Sequence, residues 1–141
     1  MHRKGHLDDV YWALRVGLGS TAFLAGLDKF TNVLTHWEKY LAPQVRENLP
    51  VSGKKFMYAV GVIEMLVGVG ILTNKPRLAG YTASAWLLGI AGDLILNGDY
   101  DIAVRDVNMA LAAYAMARSE GSRQQGELGE FGEDSQLERV A

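Results

Sequence analysis

Phe56–Thr73 reads FMYAVGVIEMLVGVGILT, eighteen residues that are apolar or small apart from Glu64. After the polar link Asn74-Lys75-Pro76-Arg77, Leu78–Gly98 reads LAGYTASAWLLGIAGDLILNG, twenty-one residues whose one charge is Asp93. At about 1.5 Å of rise per residue, either run crosses most of a hydrocarbon layer roughly 30 Å thick. Neither run alternates with period two, and neither has the broad charged face of a helix resting on a soluble core. Together they read as a transmembrane helical hairpin. A soluble four-helix bundle is the alternative, because no eighteen-residue run is free of charge. It would need several Lys and Glu on the outer face of each helix, and these two segments hold one acid each.

Outward from the hairpin, two further segments extend the pattern. Val10–Leu27 (VYWALRVGLGSTAFLAGL) is the first span, with Tyr11 and Trp12 placed as an interface belt. Arg15, Gly19, Ala22, Gly26 and Lys29 follow at steps of three or four, which puts them on one small, polar helix face. In lipid that face turns toward other helices. Ile102–Ala117 (IAVRDVNMALAAYAMA) is the fourth and weakest span, with Arg105 and Asp106 near its start. The sequence thus predicts an all-α, four-helix transmembrane bundle over residues 10–118, with spans at about 10–28, 56–73, 78–97 and 102–117.

Residues 1–9 form a polar head. Asp8-Asp9 and Arg15 interrupt the apolar segment that follows it, so the first span is expected to stay uncleaved. Residues 31–55 are a polar connection in which Leu34, Trp37, Leu41 and Val45 recur near helical spacing. Pro43 breaks that pattern or starts a second short helix, and Leu49-Pro50 ends it. Amphipathic helices on the membrane surface account for this, either as a lid over a site or as simple surface packing. Residues 119–141 are rich in Gly, Gln, Ser and acids, and are expected to be a disordered acidic tail.

Composition removes several chemistries. There is no cysteine, so disulfides, thiol reactions and cysteine-ligated clusters are out of reach of this chain alone. His2, His6 and His36 lie outside the spans with no ligand spacing, so no metal or haem site is expected. No Ser-His-acid set, phosphate loop or dinucleotide motif is present, and a net charge of −2 does not point to nucleic acid.

The charges that remain gather at one end. Four spans put both termini on one side, where Arg3, Lys4, Lys75, Arg77, Arg118 and Arg123 lie; Lys39, Arg46, Lys54 and Lys55 lie opposite, with Lys29 and Arg105 at span ends. That balance leans toward termini in the cytoplasm. Glu64 lies about 12 Å in from the connection side, eight residues beyond Phe56. Asp28, Lys29, Asp93, Arg105 and Asp106 occupy the same half, against Arg15 alone in the other. Buried charges must pair, so Lys29 and Arg105 are expected to meet Glu64, Asp93 and Asp106. The functional reading is a polar pocket open to the connection side: Lys29, Glu64, Asp93, Arg105 and Asp106 bind a small polar or amphipathic ligand, and Glu64 is the candidate proton acceptor. The structural reading is an ion-pair network that fixes helix register.

FLAGLDKF (Phe23–Phe30), Trp37, Tyr40-Leu41-Ala42-Pro43, GVIEMLVGVGIL (Gly61–Leu72), the Arg-led third span from Arg77 and DYDIAVRDVNMALAAYAMA (Asp99–Ala117) resemble the DoxX family of small bacterial membrane proteins. The resemblance covers residues 10–118 and implies a four-helix bundle of the bacterial inner membrane, with Lys29, Glu64, Arg105 and Asp106 at family-typical positions. It further implies a link to quinone-coupled thiosulfate oxidation or to membrane complexes of oxidative stress, with a quinone as the non-covalent cofactor. The absence of cysteine and the acidic tail depart from that pattern. Three functions follow: a non-enzymatic accessory subunit of a membrane redox complex, contacting other membrane subunits or further copies of itself; a small catalytic subunit of a quinone-linked oxidoreductase; or a small-solute carrier, which four spans without internal repeats make the least favoured.

Overall fold

The computed structural model describes the backbone of residues 2–140 and the side chains of residues 7–125. The chain is all-α: α1 (His2–Thr31), a 3-10 helix (Trp37–Tyr40), α2 (Pro43–Asn48), α3 (Gly53–Leu72), α4 (Pro76–Asn97) and α5 (Tyr100–Val140). The four long helices pack as a bundle, with α1 against α3 and α4 against α5 as the two tightest pairs. Within α1–α4, Leu7–Thr31, Gly53–Leu72 and Pro76–Asn97 are long and apolar enough to cross a membrane. Along α5, Asp101, Arg105, Asp106 and Arg118 dilute the apolar run, which is why it falls short of the other three. The expected tail over 119–141 begins inside α5, and its side chains beyond Gln125 lie outside the described residues, as do those of His2–His6 in the polar head.

Local chemistry sets the helix ends. Asn32 takes a positive φ of 51° and its N–H donates to the Asp28 carbonyl, closing α1. Ser52 caps α3 by accepting from the Lys55 N–H, and Pro43 and Pro76 stand at the first positions of α2 and α4, where the missing donor costs nothing. Gly98, at φ 89°, ends α4; its N–H donates to the Ile95 carbonyl and that of Asp99 to the Leu94 carbonyl.

The packing is inverted relative to a water-soluble protein. Among the large apolar side chains of the described residues only Ile71 and Met116 are fully buried, whereas Leu24, Leu66, Leu78 and Leu111 are all more than half exposed. Small residues fill the interior. A Cβ on Gly26 would lie 2.5 Å from the Gly61 carbonyl, and one on Gly68 would lie 2.7 Å from the Gly19 carbonyl, so α1 and α3 run antiparallel with their backbones in contact. Ala79, Ala83, Ala103, Ala110, Ala113 and Ala117 are the buried alanines of α4 and α5, and a Cβ on Gly80 would lie 3.0 Å from that of Ala117. Apolar surface outside and small or charged residues inside is the arrangement lipid selects, because tails reward exposed Leu and Val while close backbones recover dispersion energy. The chain is a multi-span helical membrane protein in contact with the bilayer.

Two details depart from the sequence reading. Tyr11, expected at the interface, is 2 % exposed and packs with Ile71, Ala79 and Met116, leaving Trp12 as the outward aromatic. Helical spacing puts Thr82, Trp86, Gly89 and Asp93 on one glycine-bearing face of α4, but its buried residues lie elsewhere. Pro76, Ala79, Gly80, Ala83, Ala91 and Leu94 pack instead, and Gly89 has nothing near its missing Cβ. Glycine marked the contact face on α1 and α3, but alanine marks it on most of α4.

Candidate functional site

The polar half of the bundle lies under the connection between α1 and α3. At its centre Lys29 Nζ lies 2.6 Å from Glu64 Oε2, and both side chains are buried, at 4 % and 10 % exposure. The glycine contacts place this pair. With Gly26 level with Gly61, Lys29 sits one turn nearer the connection and Glu64 one turn deeper, an offset of about 9 Å along the axis. Each Cα–Cβ bond tilts toward its own helix N-terminus, and because α1 and α3 are antiparallel those tilts converge. The Lys29 stem starts against Gly61, where no side chain blocks its way to Glu64.

Trp37 covers the pair. Its ring centroid lies 3.8 Å from Lys29 Nζ, so the ammonium is held between a carboxylate and an indole face. The position of Trp37 is set by Asp28, whose Oδ2 accepts the indole N–H at 2.8 Å. Asp28 Oδ1 accepts the Thr31 hydroxyl at 2.9 Å and the Val33 N–H at 2.8 Å, and the Leu34 N–H also donates to this carboxylate. One buried acid thereby folds the chain back over the bundle as it leaves α1. Buried Leu41 and Ala42 seal the next stretch.

Asp93 pairs with no cation among the described residues. It accepts the Ala42 N–H at 3.1 Å and so pins the start of α2 to α4, with a parallel tie from Asn97 Nδ2 to the Lys39 carbonyl at 3.0 Å. Of the three acids expected to meet it, Arg105 pairs with its neighbour Asp106, with Nη2 2.8 Å from Oδ1, and with neither Glu64 nor Asp93. Its side chain is 60 % exposed, whereas that of Asp106 is 6 % exposed. Asp106 lies close enough to Glu64 for the two charges to interact, so two buried acids share the neighbourhood of one buried cation. The indole N–H of Trp86 also faces Glu64, but it is buried outside hydrogen-bond geometry with any acceptor among the described residues.

The expected cluster is therefore assembled in part. Lys29, Glu64 and Asp106 share one interior region, Arg105 stands at its edge, and Asp93 serves the connection. Trp37 and Trp86 are site residues that the sequence reading did not select, and Asp28 was placed in the polar half without a role in the site. Asp28 carried a signal, since a short acid two or more residues before unpaired amides is a common local acceptor. The indoles carried none, because their partners lie on other helices. Arg15, isolated at the opposite end, closes a helix there. Its Nε donates to the Ile71 carbonyl at 2.7 Å and Nη2 to those of Leu72 and Thr73, satisfying the carbonyls that end α3.

In chemical terms the site offers an ammonium paired with one carboxylate, an indole N–H that faces that carboxylate without a hydrogen bond among the described residues, and a second buried carboxylate. Oxygen acceptors on a small ligand match the first two, and a proton matches the last. The 230 Å³ groove lined by Ile95, Tyr100, Ala103, Val104, Val107 and Asn108 is a different place, on the outer face of α4 and α5. No family model, curated protein or solved structure matches this chain.

Proposed function

We propose that this chain is a non-enzymatic integral membrane subunit of a redox or respiratory complex, and that its polar half holds a small ligand bearing oxygen acceptors, such as a quinone, a lipid headgroup or a small anion. The observation that carries the reading is the Lys29–Glu64 pair buried under Trp37, with the Trp86 N–H beside it lacking an acceptor among the described residues. A pair kept only for register needs no spare donors. Burial of unpaired N–H groups costs about 1–3 kcal/mol each, which a ligand oxygen would recover. A quinone carbonyl fits Lys29 and Trp86 as donors, with Glu64 and Asp106 as the groups able to hold a proton. The DoxX resemblance points to the same class of ligand and to a redox complex as the setting.

The test uses the full chain in mild detergent. Tryptophan fluorescence is titrated with a short-tailed quinone analogue, with inorganic phosphate and with a short-chain anionic lipid, and partners are identified by mass spectrometry after pull-down. Saturable quenching by one probe, lost in Lys29→Met, together with recovery of redox-complex subunits, supports the proposal. Purified chain that by itself reduces the quinone analogue with thiosulfate, and stops in Glu64→Gln, makes it the catalytic subunit instead. No quenching and no membrane partner sinks both.

A further inference from the structure

The outward face of α5 is ill-suited to lipid. Over its described residues α5 holds no candidate span, unlike the other three long helices, and it presents Asn108 between Val104 and Leu111, both of which are exposed. Gly80 of α4 packs on Met116 and Ala117 of α5, and Leu94 shares a core cluster with Ala103. The two helices are thus antiparallel, which sets Asn108 level with the middle of Pro76–Asn97. The side-chain hydrogen bonds on this part of α5 involve Arg105, Asp106 and Ser119, and none reaches Asn108 among the described residues. An amide at mid-depth with no partner is costly in hydrocarbon and drives helices together.

We propose that a second copy of this chain covers this face, as a two-fold dimer with α5 against α5 and Asn108 against its own counterpart. The choice of occupant follows from the side chain. Copies of one chain insert in the same orientation, so a two-fold axis runs along the membrane normal and each residue of the face meets itself at the same depth. Only a group that both donates and accepts can satisfy itself in that arrangement, and an amide is such a group. A single Asn in an otherwise apolar helix seam fixes register and favours two strands in coiled coils for the same reason. Arg105 sits off the centre of this stripe and is folded onto Asp106, while exposed Asp101 and Arg118 fall at the two ends of the stripe, level with the ends of α4 and away from mid-depth. The groove of about 230 Å³ beside Asn108 gives the facing helix a recess for an apolar side chain at the same depth, such as Val104.

The chain has no cysteine, so single cysteines report contacts cleanly. Full-length Val104→Cys and Leu111→Cys proteins reconstituted in vesicles should give disulfide-linked dimers under mild oxidation, while Leu66→Cys on the outer face of α3 should not. Asn108→Leu keeps the volume and adds apolar surface, so folding is retained; it should weaken dimerisation by about three- to thirty-fold, measured by energy transfer between labelled copies on dilution in lipid. A monomer at all lipid dilutions, preferential cross-linking through Leu66→Cys, or a dimer unaffected by Asn108→Leu would overturn the assignment. So would native-membrane cross-links from Val104→Cys that go to a different protein.

Discussion

Gly26 and Gly61 stand so close that a methyl group on Gly26 would sit 2.5 Å from the Gly61 carbonyl oxygen, and one on Gly61 would sit 2.6 Å from that of Gly26. This reciprocal contact sets the axial register of α1 on α3, and from that register Lys29 and Glu64 come within 2.6 Å of each other. The polar site is therefore a consequence of two missing side chains one turn away.

Adding those side chains should be costly. Gly26→Ala and Gly61→Ala are each expected to destabilise the bundle by about 1–3 kcal/mol, since backbone cannot move aside as a flexible side chain can. Gly17→Ala and Gly89→Ala have open space at the new Cβ and should instead stabilise, by up to about 1 kcal/mol from helix propensity. Unfolding in mixed micelles, comparing the four variants, checks the contrast. Equal effects in both pairs would remove the close-contact account.

Breaking the buried ion pair on one side should cost more than removing it. Glu64→Leu or Lys29→Met alone leaves one buried charge and is expected to lose about 3–5 kcal/mol. The double variant, with both charges gone, should recover most of that loss. A double-mutant cycle by thermal or denaturant unfolding measures the coupling; additive losses would mean that the two groups do not act as a pair.

Asp28 holds the lid, so its loss should appear in the connection rather than in the helices. Asp28→Ala removes the acceptor of the Val33 and Leu34 amides and of the Trp37 indole. Hydrogen exchange should rise for residues 33–41 by about one to two orders of magnitude, with α3 and α4 protected as before, if roughly 1–3 kcal/mol of local stability is lost. Uniform loss of protection would place Asp28 in the core instead.

Arg15 closes the far end of α3. In Arg15→Leu the carbonyls of Ile71, Leu72 and Thr73 lose their donor, and a loss of about 1–2 kcal/mol is expected, with fraying confined to the last turn of α3. Arg15→Lys should recover less than half, because one ammonium cannot reproduce the planar fork. Exchange rates at residues 69–73 provide the readout.

Periodicity and composition alone determined the all-α class, the positions of the apolar helices and the small, polar face of α1, since an eighteen-residue apolar run such as Phe56–Thr73 matches a lipid-crossing helix and has no charged outer face. They also placed Lys29 on a small, inward face and Glu64 in the same half of the bundle. Only the tertiary structure decided which charges meet. Lys29 reaches Glu64 because two glycine contacts bring α1 and α3 into antiparallel register with converging Cβ vectors, whereas Arg105 stays beside Asp106 and Asp93 turns to the Ala42 amide. Helical spacing fixes directions around one axis, but the azimuth and height of one helix relative to another depend on packing between residues far apart in the chain.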